Sequence, residues 1–165
     1  MKAIMIILIF GLLFLNGCIL ANKNTDIEYC RTLPQSTQTD KENRDNCFLR
    51  TSINLAETDR ELNLITDSCS RIDDMTKQDN CFYQTSLYKL LLEKESEAAL
   101  LCSKISLKRE NIRNDCYYNL AISTKKQIYC DFIEKPVGFE KITRIFYGGE
   151  SLEYDYKSMC YEHFN

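Results

Sequence analysis

Apolar positions follow two regimes along this chain. From Ala3 to Leu15 they form a run broken only by Gly11, with Met1 and Lys2 as a short positive start. Such a run, positive at its head and too continuous for one face of a folded helix, reads as an export signal. From about residue 26 onward apolar and small residues instead recur at helical spacing between polar ones, as in Cys81, Leu87, Leu90 and Leu91. Two Pro and five Gly in 165 residues leave few breakers, so the pattern predicts helices almost throughout. The expected fold class is all-α.

The helical region repeats itself, and cysteines mark the period. Setting Cys18 aside, eight remain, in two alternating contexts. One reads Cys-x-x-Leu/Ile: Cys30 with Leu33, Cys69 with Ile72, Cys102 with Ile105, Cys130 with Ile133. The other places an aromatic after the cysteine and, in three of four cases, Asp and Asn before it: Asp45-Asn46-Cys47-Phe48, Asp79-Asn80-Cys81-Phe82, Asn114-Asp115-Cys116-Tyr117, and Met159-Cys160-Tyr161. Thr51-Ser52-Ile53, Thr85-Ser86-Leu87 and Leu120-Ala121-Ile122 share one offset, and small Ser52, Ser86 and Ala121 would let helices approach closely. Spacings of 34 and 35 residues between Cys47, Cys81 and Cys116 suit a two-helix unit that is stabilised by stacking. Thr25-Asp26-Ile27-Glu28 and Thr124-Lys125-Lys126-Gln127 have capping-box spacing ahead of Cys30 and Cys130, and Asn63 and Ser96 lie six residues before Cys69 and Cys102.

Over about residues 26–134 the chain resembles the cysteine-containing helical-hairpin repeats of archaeal exported proteins and lipoproteins, and is loosely similar to tetratricopeptide and Sel1-type α-solenoids. The resemblance implies a short disulfide-stapled stack outside the cytoplasm and no particular activity. With 44 residues from Cys116 to Cys160, the last unit departs from the pattern from about residue 135.

Eight cysteines allow on the order of a hundred connectivities. If each bridge joins neighbouring antiparallel helices, a turn should lie near its midpoint. Cys30 with Cys47 centres on 35–41, Cys69 with Cys81 on 73–77, Cys102 with Cys116 near Arg109, and Cys130 with Cys160 near Tyr147-Gly148-Gly149, all turn-like. The shifted register would centre Cys81 with Cys102 on Leu90-Leu91-Leu92, inside a helical run. The first set is therefore expected, each bridge stabilising the fold by about 3 kcal/mol.

Leu15-Asn16-Gly17-Cys18 resembles the lipobox of bacterial and archaeal lipoproteins; Gly17 and Cys18 match and Asn16 departs. The resemblance implies cleavage after Gly17, lipidation of Cys18, a tether over 18–25 and a repeat domain over 26–165. Two acyl or alkyl chains would then hold the protein durably on the outer face of the cell membrane. Two other readings stay open: the apolar run, about 19 residues to Ala21, as an uncleaved anchor, or release by an ordinary signal peptidase. Export places the cysteines where disulfides persist.

Charge and chemistry narrow the picture mainly by exclusion. The net charge is −3, with no basic stripe, which speaks against nucleic acid as a partner. Lys108, Arg109, Arg113, Lys125 and Lys126 read as solvated helix faces. There is no C-x-x-C, no H-E-x-x-H, no glycine-rich phosphate loop, no G-x-S-x-G, and a single histidine, His163. Asp73-Asp74 and Glu95 with Glu97 read as turn or surface acids. No catalytic residue, metal or cofactor is therefore expected. Phe146 and Tyr147, followed by Tyr154 and Tyr156, lie outside the repeat and form the candidate binding patch. The expected function is non-enzymatic: an extracytoplasmic module that binds a protein or envelope component. The alternative is a small-ligand-binding protein, which an enclosed pocket would distinguish.

Overall fold

The computed structural model describes residues 23–134 and 155–165. Seven α-helices run in chain order: α1 (Lys23–Thr32), α2 (Gln38–Glu57), α3 (Leu62–Ser70), α4 (Met75–Leu91), α5 (Glu95–Lys104), α6 (Glu110–Thr124) and α7 (Tyr156–Phe164). Short 3-10 segments occupy Leu107–Arg109 and Gln127–Phe132, and there is no strand among the described residues. The fold is all-α and stapled by disulfides.

The helices form two layers. One, here termed the inner layer, holds α2, α4, α6 and α7, each packed on the next; the other, the outer layer, holds α1, α3, α5 and the 127–132 segment, seated against them. The core lies between the layers. Its aromatic members Phe48, Phe82 and Tyr117 each follow a cysteine and are buried beside it, and Ser52, Ser86 and Ala121 are buried where α2, α4 and α6 pack. The Ser52 and Ser68 hydroxyls both donate to the Phe48 carbonyl, at 2.8 and 3.1 Å, so close helix approach leaves no unpaired hydroxyl there.

Disulfides join Cys30 to Cys47, Cys69 to Cys81, Cys102 to Cys116 and Cys130 to Cys160, with Cα separations of 5.6 to 5.7 Å. Each bridge links an outer-layer element to the inner-layer helix that follows it.

A second device ties one hairpin to the next. Asp45 accepts from the backbone N–H groups of Asp73 and Asp74, both at 3.0 Å. Asp79 accepts from Ser106 N at 2.8 Å. Asn114 accepts from Glu134 N and donates to Glu134 O, both at 3.0 Å. All three clamps are buried, and each grips the residue just after the Ile of the next Cys-x-x-Ile. The Asp or Asn two residues before Cys47, Cys81 and Cys116 is thus a bolt between units.

Several local expectations shift. Thr25 falls inside α1, which begins at Lys23, and Thr124 closes α6 with its hydroxyl on the Leu120 carbonyl, so neither caps a following helix. The capping box forms instead at α2, where Thr37 and Asp40 exchange hydrogen bonds of 3.0 and 3.1 Å. Asn63 and Ser96 are each the second residue of their helix, with Glu61 and Lys94 at the cap positions instead. On α4 the buried face carries Cys81, Phe82, Thr85, Ser86 and Lys89, while Leu91 is 78% exposed. Irregularity also starts before residue 135: the unit containing Cys130 opens on a 3-10 segment rather than an α-helix.

The clamps predict opposite responses to one chemical change. Both Asp45 oxygens accept from N–H groups, so Asp45→Asn sets an amide donor against a donor and costs about 1–2 kcal/mol. Asp79 has a second oxygen, buried and without a hydrogen-bond partner, so Asp79→Asn removes a poorly satisfied buried carboxylate and leaves stability unchanged or raises it. Denaturant melts of the two variants check this; equal losses would refute the assigned roles.

Candidate functional site

Three of the four candidate patch residues, Phe146, Tyr147 and Tyr154, lie outside the described residues, as does Cys18. Tyr156 is described and partly buried, edge-on to Tyr118 with ring centroids 5.9 Å apart, so it packs α7 against α6. His163 is exposed at the end of α7, edge-on to Phe164.

The acids singled out in the sequence have structural partners. Asp74 caps α4 by accepting from Lys77 N at 2.9 Å, and Asp73 pairs with Arg44 at 3.2 Å. Glu95 accepts from the Lys126 ammonium, 2.6 Å away, and from the Tyr129 hydroxyl. Glu97 pairs at 3.0 Å with Lys89. Lys89 is only 1% exposed; it also reaches Asp59 and the Arg60 carbonyl, both at 2.9 Å, linking α4 to the α2–α3 turn and to α5. The sequence pattern offered no sign of it, because a lysine among Leu87, Leu90 and Leu91 reads as the polar edge of a helix. Of the basic residues, Arg109 donates to Thr76 and Arg113 pairs with Glu134 at 3.1 Å.

Two open clefts are present among the described residues. One, about 360 Å³, is lined by charged side chains including Glu42, Asp45, Asp74 and Lys77; the other, about 290 Å³, lies along Asp59, Arg60, Glu61 and Leu64. In the first, Asp45 is already committed to backbone N–H groups. No group of three or more His, Cys, Asp or Glu is placed to hold a metal ion, and no helix is long and apolar enough to cross a membrane, among the described residues.

The outer layer carries the feature most unlike a structural device. The residue two places before each Cys-x-x-Leu/Ile cysteine is, in turn, Glu28, Asp67, Leu100 and Ile128. In the first two units this position is charged and paired: Arg31 bridges Glu28 and Asp67, and Asp67 also accepts from Arg71 at 3.0 Å. In the next two it is apolar and open, Leu100 being 46% and Ile128 62% exposed. Phe132, four residues after Ile128, is 49% exposed, stacked on buried Tyr117 at 5.3 Å and tilted against Tyr129 at 6.4 Å. Arg113 lies 5.8 Å from the Tyr117 ring. Ile128 and Phe132 share one segment, which Lys126 and Tyr129 tie through Glu95 to α5, the helix that carries Leu100; these three exposed side chains are the apolar ledge of the last two units. Aligning the units by their cysteines makes this change of character legible in the sequence.

Comparison with protein-family models, with curated proteins and with solved structures finds no match to the chain.

Titration of the ion-pair bolts sets an expected pH dependence. Burial, then the hydrogen bond to Glu95, pushes the Tyr129 hydroxyl from 10.0 up to about 12. Burial pulls the Lys89 ammonium down, but hydrogen bonds to Asp59 and Glu97 outweigh it and hold it above its ordinary value. Both are protonated in their bonded form. The contribution of Tyr129 is therefore complete below pH 10.0 and is lost as the pH rises towards about 12, and that of Lys89 is lost as the pH rises past its raised value. Glu95, held low by Lys126 and Tyr129, and Asp59, held low by Lys89, contribute above the ordinary carboxylate range and lose that contribution as the pH falls through it. Melting temperature should be level between about pH 5 and 9 and fall on both sides, with Tyr129→Phe blunting the alkaline fall.

Proposed function

We propose that the chain is an exported lipoprotein, anchored through lipidated Cys18 to the outer face of the cell membrane, whose stapled repeat domain binds another protein or an envelope component. Cleavage after Gly17 leaves Cys18 as the new N-terminus, a few residues ahead of α1. The module is non-enzymatic and works by presenting a surface.

The observation that carries the binding reading is the ledge of Leu100, Ile128 and Phe132. At equivalent positions the first two units have charged, mutually paired side chains, so the repeat itself does not require apolar residues there. Large apolar side chains left exposed on linked elements are characteristic of interaction sites. Depletion of charge at the centre with aromatic residues retained is the usual composition of an interface core. The support for export is the apolar N-terminal run together with eight paired cysteines, since such bridges persist in oxidising compartments.

Intact mass of the membrane-extracted protein tests the anchor. The expected species begins at Cys18, carries added lipid mass, and takes up alkylating reagent on eight cysteines only after reduction. A species beginning at Met1 would favour the uncleaved helix.

Crosslinking in intact cells tests the surface. The native chain should yield a specific co-purified partner, and the exposed double substitution Leu100→Asp with Ile128→Asp should lower its recovery by more than about tenfold while changing the melting temperature little. Equal recovery from both chains, or none from the native one, would overturn the proposed surface.

A further inference from the structure

We infer that the Cys30–Cys47 bridge is a reducible latch that decides whether α1 belongs to the domain or to the chain ahead of it. Seven of the eight bridged cysteines are at most 1% exposed; Cys47 alone is partly exposed. Thiol–disulfide exchange requires a thiolate to reach a bridge sulfur, so access ranks the four bridges. At the other three both cysteines are buried, and attack there awaits local or global opening.

The exchange is complete with a dithiol reductant. Its thiolate attacks Sγ of Cys47, the Cys30–Cys47 bond breaks, and Cys30 leaves as a thiolate, with the Thr51 hydroxyl 3.5 Å away to donate to it before it takes up a proton. The second thiol of the reductant then attacks the mixed disulfide. Cys47 leaves as a thiol, and the reductant departs as a disulfide with two electrons transferred to the protein.

Among the described side chains of α1, from residue 26 on, those buried are Ile27 and Cys30, and the tie to α3 is the surface pair between Arg31 and Asp67, at 3.1 Å. A ten-residue helix is marginal without tertiary support, so it comes away once the bridge opens. As a helix those residues span about 15 Å; extended, they reach about 35 Å. On the anchored reading, which this use of the latch rests on, reduction would let the rest of the domain stand roughly 20 Å further from the membrane. The chemistry of the latch is independent of that reading.

The test is a dithiothreitol titration of the native protein. Free thiols are trapped with N-ethylmaleimide, the remaining bridges are then reduced and alkylated with iodoacetamide, and peptides are mapped by mass. Hydrogen exchange is followed in parallel. Cys30 and Cys47 should acquire maleimide more than about tenfold faster than any other pair, and α1 amides should lose protection while α2 to α6 keep theirs. Simultaneous labelling of all eight cysteines, earlier labelling of another pair, or unchanged α1 protection would each overturn the latch. The double variant Cys30→Ser with Cys47→Ser should fold with three bridges and an unprotected α1 without any reductant; misfolding or a protected α1 would also overturn it. Failure of the anchor shows separately, in the intact mass.

Discussion

The structure depends on holding consecutive helices at one fixed height, and each hairpin does this with a bridge between an outer and an inner element. Such a bridge fixes the Cα separation, but it cannot orient one hairpin against the next. That second task falls to Asp45, Asp79 and Asn114, one turn-gripping group per unit. Because these groups sit two residues before the bridged cysteine, the staple positions the bolt. Burial of the carboxylate or amide is tolerable only because backbone N–H groups meet it, and those groups are presented only when the neighbouring hairpin is in place. Neighbouring units are therefore coupled through a polar contact that is satisfied by stacking and left costly without it.

Ion pairs spanning units reinforce the same logic at the edges. Lys89 draws together a turn of one unit, a helix of the next and the start of a third. Lys89 is buried while Asp59 and Glu97 are partly exposed; such pairs add little net stability over apolar packing, yet leaving the buried ammonium without its acids is costly, so they favour one arrangement of the hairpins over its neighbours. Two residues before the Cys-x-x-Leu/Ile cysteine, however, the outer layer carries no charged pair after the second unit. Its equivalent positions turn from the Glu28–Arg31–Asp67–Arg71 network to the Leu100, Ile128 and Phe132 ledge, which is where a surface is free to serve something other than the fold.

The sequence was informative wherever a period of about 34 residues could be laid over itself. Alternation of the two cysteine contexts, turn-like centres between them and scarcity of breakers together imply the all-α hairpins. The Asp-Asn doublet ahead of the cysteines was visible as a recurrence, but its meaning was not, because its partners lie 20 to 29 residues onward and are backbone atoms, which carry no residue signature. Lys89 was hidden for a related reason: hydropathy ranks a lysine as polar, and only the tertiary convergence of Asp59, Arg60 and Glu97 makes its burial affordable. The expected helix start at Thr124 failed because the preceding helix runs through that residue, whose hydroxyl turns back to the Leu120 carbonyl.

Bridges that join cysteines strictly in order, first with second and third with fourth through seventh with eighth, also bear on how the chain is made. For a polypeptide delivered N-terminus first into an oxidising compartment, each cysteine meets its native partner as the next one to arrive. With Cys18 lipidated, as proposed, a catalyst that oxidises the remaining eight thiols in order of emergence would then produce the native set directly, without shuffling by an isomerase. The repeat thus carries its own assembly schedule, written in the order of its cysteines.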